Sequence, residues 1–264
     1  LAGFLLINPR SGSGSPDADE LRHAAEAKGL RVHVLGEDDG PAEVARAADG
    51  VDSLGMAGGD GSLAPVAEVA IERELPFVCI PFGTRNHFAR DVGLDREDPL
   101  GALDAYGGRE RQVDVGSVNE RLFLNNVSLG AYAQLVHRRE QHRRRRAALA
   151  RIRALWMTAR ERHGLQATVD GKPVEARVIF VGNNAYDLDL FNVGERERLD
   201  EGLLHLYTLE GWLPRSWTDR KAAGFTVETG GSIEAAIDGE PEELDSPLRF
   251  EVRPRALRVL LPET

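Results

Sequence analysis

Apolar residues come in short blocks along the first third of the chain, and each block is followed by a small or polar stretch. Residues 2–7, 31–35, 51–57 and 77–81 are runs of a length that suits buried strands. Between them lie segments with apolar positions at helical spacing. Leu21, Ala24 and Ala25 line up within residues 17–29, which end at Gly29. Residues 41–48 open with Pro41, a residue suited to a first helical turn, and residues 63–73 lead out of the third run. Strand and helix alternating in this way predict a parallel sheet with helices on both faces, whose ligands bind at the carboxyl ends of the strands.

From about Asp114 the pattern changes. Residues 113–116, 121–127, 166–169, 174–181, 203–208, 232–237 and 257–261 read as further strands, and Asp170-Gly171 between alternating arms reads as a hairpin turn. The expected organisation is an α/β nucleotide-binding domain over residues 1–112, followed by a β-rich domain over 113–264 folded as an antiparallel β-sandwich. One segment of the second half, about residues 134–163, reads instead as an inserted basic helix. Leu149, Ile152, Leu155, Trp156 and Ala159 fall on one stripe of it.

Three loops sit where strands of the parallel sheet should end. Asn8-Pro9-Arg10-Ser11-Gly12 follows the first run, Gly58-Gly59-Asp60-Gly61-Ser62 the third, and Pro81-Phe82-Gly83-Thr84-Arg85-Asn86 the fourth. Glycines around a carboxylate let the backbone approach a phosphate, and a helix starting there offers free N–H groups. Asp60 is placed to hold Mg²⁺, a hard cation that takes oxygen ligands. The alternative is an ordinary Gly-rich strand–helix turn. Thr84 and Asn86 are hydrogen-bonding residues at a helix start, where the plainer role is that of an N-cap. No G-x-x-x-x-G-K-[ST] loop is present.

Charge sharpens the picture. The net charge of −10 argues against a general nucleic-acid binder. Residues 137–163 hold ten arginines and two acids, a net of +8, so the rest of the chain carries −18. That segment is either a membrane-surface element drawn to anionic lipid or the solvated face of a docked helix. The single cysteine, Cys79, lies in an apolar run, which predicts a buried thiol and suits a reducing compartment. No signal pattern or long apolar span stands out, so a soluble or peripheral protein is expected.

The three loops and the late Asp238-Gly239-Glu240, in that order, resemble the diacylglycerol-kinase catalytic-domain family, which includes bacterial lipid kinases, sphingosine kinases and ceramide kinases. Phe123-Leu124-Asn125-Asn126 with Gly130, and Leu199-Asp200-Glu201-Gly202-Leu203-Leu204, extend the similarity over nearly the whole chain. A lone Gly-Gly-Asp-Gly carries little weight, since phosphofructokinases and NAD kinases share it; the ordered set carries much more. The resemblance implies an active site in the cleft between two domains and ATP-dependent, Mg²⁺-dependent phosphorylation of a lipid hydroxyl. Residues 8–12, residues 58–62, Thr84 and Asn86 would hold ATP. Asp60 would act through Mg²⁺ or its water shell, and Glu240, with Asp238 beside it, would accept the proton of the hydroxyl.

Some bacterial members also carry a structural Mg²⁺. The matching positions are Arg198 and Leu203 through their carbonyls and Glu201 through its carboxylate, where the family usually has Asp. Two further departures are Ser62 for the usual Thr, which keeps the hydroxyl, and His87 where many members have Asp. His87 removes a carboxylate, and in its protonated form would suit a phosphate.

The expected partners are thus a lipid with a free hydroxyl, an anionic membrane surface met through residues 137–163, and a second copy of the chain in a homodimer. The expected place is the cytoplasm, at the inner face of the membrane. The alternatives are a kinase of a soluble hydroxyl substrate, sugar or NAD, and a non-catalytic regulator that binds nucleotide or lipid.

Overall fold

The computed structural model describes residues 2–12, 14–130, 165–189, 192–209 and 217–263. They divide into two compact units. The first comprises Leu1–Val115, Glu197–Glu201 and Arg253–Thr264, and the second Gly116–Arg196 and Gly202–Val252. The basic helix read over about 134–163 lies outside the described residues. No helix among the described residues is long and apolar enough to cross a membrane.

The first unit alternates β1 (Gly3–Ile7), α1 (Ala18–Ala27), β2 (Arg31–Val34), α2 (Pro41–Ala47), β3 (Ser53–Gly58), α3 (Asp60–Glu72), β4 (Phe77–Pro81) and α4 (His87–Val92). The strands run parallel in the order β2-β1-β3-β4. Because the order reverses at β1, right-handed crossovers put α1 on one face and α2 and α3 on the other. Every residue of β1, β3 and β4 is buried. A parallel sheet covered on both faces has no wet side, so its strands are continuous apolar runs rather than alternating ones. The first helix starts on a capping box and ends at the glycine expected to stop it. The Asp17 carboxylate accepts the Glu20 N–H at 2.8 Å, and the Glu20 carboxylate accepts the Asp17 N–H at 2.9 Å. Gly29 leaves the helix with φ +79°.

Cys79 is fully buried in β4, as expected, and burial together with the nearby Asp60 charge pushes its thiol up, away from the reactive thiolate. The native protein should therefore not react with Ellman's reagent, and one thiol per chain should appear only on denaturation. Titration of native against denatured protein checks this.

The second unit is built from strands alone among its described residues. Strand β5 (Arg109–Val118) leads the chain into it, followed by β6 (Arg121–Phe123), β7 (Asn126–Gly130), β8 (Leu165–Val169), β9 (Lys172–Ala176) and β10 (Val178–Asn183). Then come β11 (Leu188–Asp189), β12 (Asn192–Val193), β13 (Leu204–Leu209), β14 (Trp217–Ala222), β15 (Gly224–Thr229), β16 (Ile233–Ile237), β17 (Glu240–Leu244) and β18 (Leu248–Leu261). One sheet has the order β14-β13-β10-β7-β16-β17, antiparallel throughout. The other pairs β9, β8, β15 and the first part of β18, also antiparallel. Val127, Ile179, Val181 and Leu206 of the first sheet pack with Val169, Phe225, Val227 and Phe250 of the second in one buried cluster. This is the expected sandwich. The hairpin read at Asp170-Gly171 is present, both residues having positive φ (50° and 73°), as a tight two-residue turn requires.

Three sequence readings are corrected here. Residues 121–127 are two strands, β6 and β7, which belong to different sheets, and residues 174–181 divide likewise into β9 and β10 at Arg177. An apolar run continues through such a corner, since both strands face the same core. Residues 257–261, assigned above to the β half, instead run parallel to β4, with Val259 opposite Phe77 and Leu260 opposite Val78. Arg258 fixes this end by donating to the Glu110 carboxylate at 2.9 and 2.7 Å and to the Glu74 carbonyl at 3.0 Å.

Candidate active site

At the carboxyl end of the parallel sheet the three loops touch. The loop read over residues 58–62 is shorter than its sequence suggested. Gly58 ends β3, Gly59 alone makes the turn, and Asp60 is already the first residue of α3. The Ser62 N–H closes this first turn on the Gly59 carbonyl at 2.9 Å, and no side chain caps the helix. The start of α3 therefore keeps the N–H groups that an anion can use.

Glycine is required here for proximity. A Cβ on Gly83 would stand 2.4 Å from the Gly59 Cα, so the turn after β3 and the loop after β4 touch backbone to backbone. A Cβ on Gly12 would lie 2.5 Å from the Phe82 ring, which brings the first loop against the third. Asn8 joins the first loop to α3. Its side-chain carbonyl accepts the Arg10 N–H at 3.1 Å, and its amide donates to the Ser62 hydroxyl at 3.1 Å. Ser62 in place of Thr thus retains the bond-forming group. Pro9, Arg10 and Ser11 complete this turn, with the Ser11 N–H on the Asn8 carbonyl at 3.1 Å, and Thr84 and Arg85 are exposed on the third loop.

Asp60 is 8% exposed and does more than the sequence suggested. Its carboxylate accepts the backbone N–H groups of His87 at 3.0 Å and Phe88 at 2.9 Å. It is the N-terminal cap of α4, supplied from the first turn of α3. Asn86 occupies the N-cap position but does not cap. With φ 50° it turns its side chain back, accepting the Gly83 N–H and donating to the Gly83 carbonyl, both at 2.9 Å. Burial is the main cause that holds His87 below the usual imidazole value. Asp60 and Asp91 oppose the shift, and Arg90 and Arg85 add to it. The protonated, phosphate-binding form considered from sequence is therefore disfavoured.

The carboxylates suit magnesium, which prefers oxygen ligands and keeps several waters. Each Asp60 oxygen accepts one backbone amide, so the carboxylate is held in place by α4. Among the described residues no group of three His, Cys, Asp or Glu side chains forms a metal cage. At the second expected position, Arg198 is paired through its side chain with Asp200 at 3.2 Å. Arg198 and Glu201 fall in the first unit. Leu203 falls in the second, and its carbonyl accepts the Asn184 N–H at 3.1 Å.

In the second unit, Asp238 and Gly239 form the turn between β16 and β17, with φ 48° and 88°. Asp238 is 8% exposed. Its carboxylate accepts the N–H groups of Leu124 at 2.8 Å, Asn125 at 2.7 Å and Asn126 at 3.1 Å. These three donors hold the corner between β6 and β7. Glu240 follows as the first residue of β17 and is exposed. The same corner is gripped from its other side by a residue that sequence reasoning missed. Arg196, 3% exposed, donates to the Leu124 carbonyl at 2.7 Å, the Asn183 carbonyl at 3.1 Å and the Asn125 side-chain oxygen at 2.6 Å. Its guanidinium lies 5.3 Å from the centre of the Tyr186 ring. Nothing in the local sequence separates Arg196 from the exposed Arg198 two residues on.

Residues 2–118 match the family described as "Diacylglycerol kinase catalytic domain". Over 275 residues the chain is 29% identical to a "Probable lipid kinase YegS-like" protein of Pseudomonas aeruginosa, covering 92% of this chain and 90% of that one. The "Diacylglycerol kinase" of Bacillus subtilis is 36% identical over 89 residues, which are 33% of this chain and 29% of that protein. A diacylglycerol kinase structure from Bacillus anthracis str. Sterne shares the fold, with a TM-score of 0.74 at 20% identity over 98% of this chain and 96% of that one.

Proposed function

We propose that this protein is a lipid kinase that transfers the γ-phosphoryl group of ATP to a lipid hydroxyl in a magnesium-dependent reaction. The observation that carries the reading is the backbone contact of Gly59 with Gly83 beside the uncapped start of α3. Such a cradle suits phosphates, and phosphoryl transfer asks of a protein mainly in-line positioning and charge neutralisation. Asn8 and Ser62 orient the first loop, Gly83 and Asn86 the third, and Asp60 joins α3 to α4. Magnesium, when bound, would neutralise phosphate charge, with Asp60 contributing directly or through water. Glu240 takes the proton of the attacking hydroxyl. Asp238, with both oxygens on backbone amides, holds the turn that carries Glu240. The relatives described as lipid kinases support a lipid acceptor, and a membrane-facing role for residues 137–163 follows from that acceptor.

The test is transfer from γ-labelled ATP with Mg²⁺ to a total lipid extract, resolved by chromatography. A labelled lipid whose formation falls to a small residual rate in Glu240→Gln, with the variant still folded by circular dichroism, is the expected result. A labelled water-soluble product would replace the lipid acceptor with a soluble one. ATP binding without any transfer would favour a regulator.

A further inference from the structure

We infer that Arg196 is a positioning residue for Glu240, acting through the Leu124–Asn125 peptide and Asp238; this rests on the reading of Glu240 as proton acceptor.

One peptide group, Leu124–Asn125, carries the coupling. Its oxygen, on Leu124, accepts from the Arg196 guanidinium at 2.7 Å, and its N–H, on Asn125, donates to the Asp238 carboxylate at 2.7 Å. A buried cation and a buried anion therefore meet across a single amide. Each polarises that amide in the sense that strengthens the other's bond. Asn183 adds a second donor to the same oxygen at 3.0 Å, and Arg196 also holds the Asn125 side chain at 2.6 Å. Asp238 closes the arrangement by donating its own N–H to the Asn126 carbonyl at 2.9 Å.

The turn this arrangement fixes is a two-residue Asp-Gly hairpin turn, in which both residues take the left-handed backbone. Three amides on the Asp238 carboxylate tie that turn to the corner between β6 and β7. Glu240 comes two residues later, opposite Ile237 in the ladder, so its backbone position follows from the turn. Removal of Arg196 leaves the Leu124 carbonyl with a weaker donor set and the Asp238 charge without its buried counterpart. The corner and the turn then loosen together, and Glu240 loses its aim.

The experiment uses the full chain and the labelled-ATP transfer assay, on Arg196→Met, Arg196→Lys, Glu240→Gln and the Arg196→Met/Glu240→Gln double variant. Arg196→Met is expected to lower kcat about 100-fold, the scale of a misplaced catalytic group, with KM for ATP unchanged. The double variant should be no slower than Glu240→Gln alone, and Arg196→Lys should recover part of the loss. Equal fractional losses in both backgrounds, or an unchanged kcat, would overturn the inference. Should Arg196→Met fail to fold, Asn183→Ala takes its place, with a smaller loss that must likewise vanish in the Glu240→Gln background. Amide hydrogen exchange separates this inference from the kinase reading. Arg196→Lys should speed exchange at residues 124–126 even if no substrate is turned over, and unchanged exchange there would reject the coupling. A wild-type protein that transfers no phosphate would overturn the role of Glu240 and, with it, the catalytic half of the inference.

Discussion

Asp60→Ala is expected to abolish phosphoryl transfer and to destabilise the protein by about 2–4 kcal/mol, because the cap of α4 is lost and one buried and one half-buried N–H group are left without their acceptor. Both effects come from one carboxylate. It accepts the His87 and Phe88 amides, and so fixes α4 and the loop before it. The same group is the proposed partner of magnesium. Asp60→Asn separates the two duties. Its amide oxygen can still accept one N–H, so the stability loss should roughly halve, while transfer stays absent because the charge is gone. Urea denaturation followed by far-ultraviolet circular dichroism, with the transfer assay alongside, measures both. Full stability in Asp60→Ala would reject the capping role. Full activity in Asp60→Asn would reject the metal role.

Gly83→Ala should be nearly as damaging, by sterics alone. The added carbon would stand 2.4 Å from the Gly59 Cα and 2.9 Å from both the Gly59 nitrogen and the Asn86 side-chain oxygen. No flexible side-chain tip is available to yield, because two of these atoms are backbone. The first turn of α3 and the loop after β4 must move apart, at a cost of about 1–3 kcal/mol. ATP binding should weaken at least about tenfold, a loss of about 1.4 kcal/mol, because the opened cradle no longer matches the phosphates. Isothermal calorimetry on Gly83→Ala checks this, with Gly231→Ala as the comparison. A Cβ at Gly231 meets nothing within 4 Å, so that variant should bind ATP like the wild type. Wild-type affinity in Gly83→Ala would remove this cradle from the nucleotide site.

The first unit was legible in the sequence because burial on both faces leaves an unambiguous mark. Residues 77–81 were read as a strand and are one, since all five side chains must be apolar. Asp17 and Gly29 bracketed α1 because capping chemistry is local. Helix α3 began three residues earlier than its periodicity showed, because Asp60, Gly61 and Ser62 break the apolar pattern while forming the first turn. In the second unit the arms and turn of the β8–β9 hairpin were readable, again from local rules. The corners at Leu124–Asn125 and Arg177 were not. A chain that changes sheets keeps facing the same core, so its alternation is undisturbed. The site showed the same division. Glycines that bring backbones together could be found by eye, whereas Asp60 capping α4 and Arg196 gripping the corner at Leu124 depend on contacts across 27 and 72 positions. The change from Asp to His at position 87 was visible, but α4 is tied to Asp60 through the backbone of that residue, which any side chain would supply.

The pairing of the last strand with β4 bears on how the protein is made. The first unit is mostly encoded by residues 1–115, and the matching family segment ends at residue 118. Yet Val259 and Leu260 pair with β4, and Arg258 is tied to Glu74 and Glu110. On the ribosome, domains generally fold as units from the N-terminal end. Here the first unit to emerge must wait, with one edge of β4 unpaired, until nearly the whole chain has been translated. An open strand edge is a template for wrong partners. For the length of that wait this edge of β4 stays open, and a fragment cut at the family boundary would keep it exposed permanently.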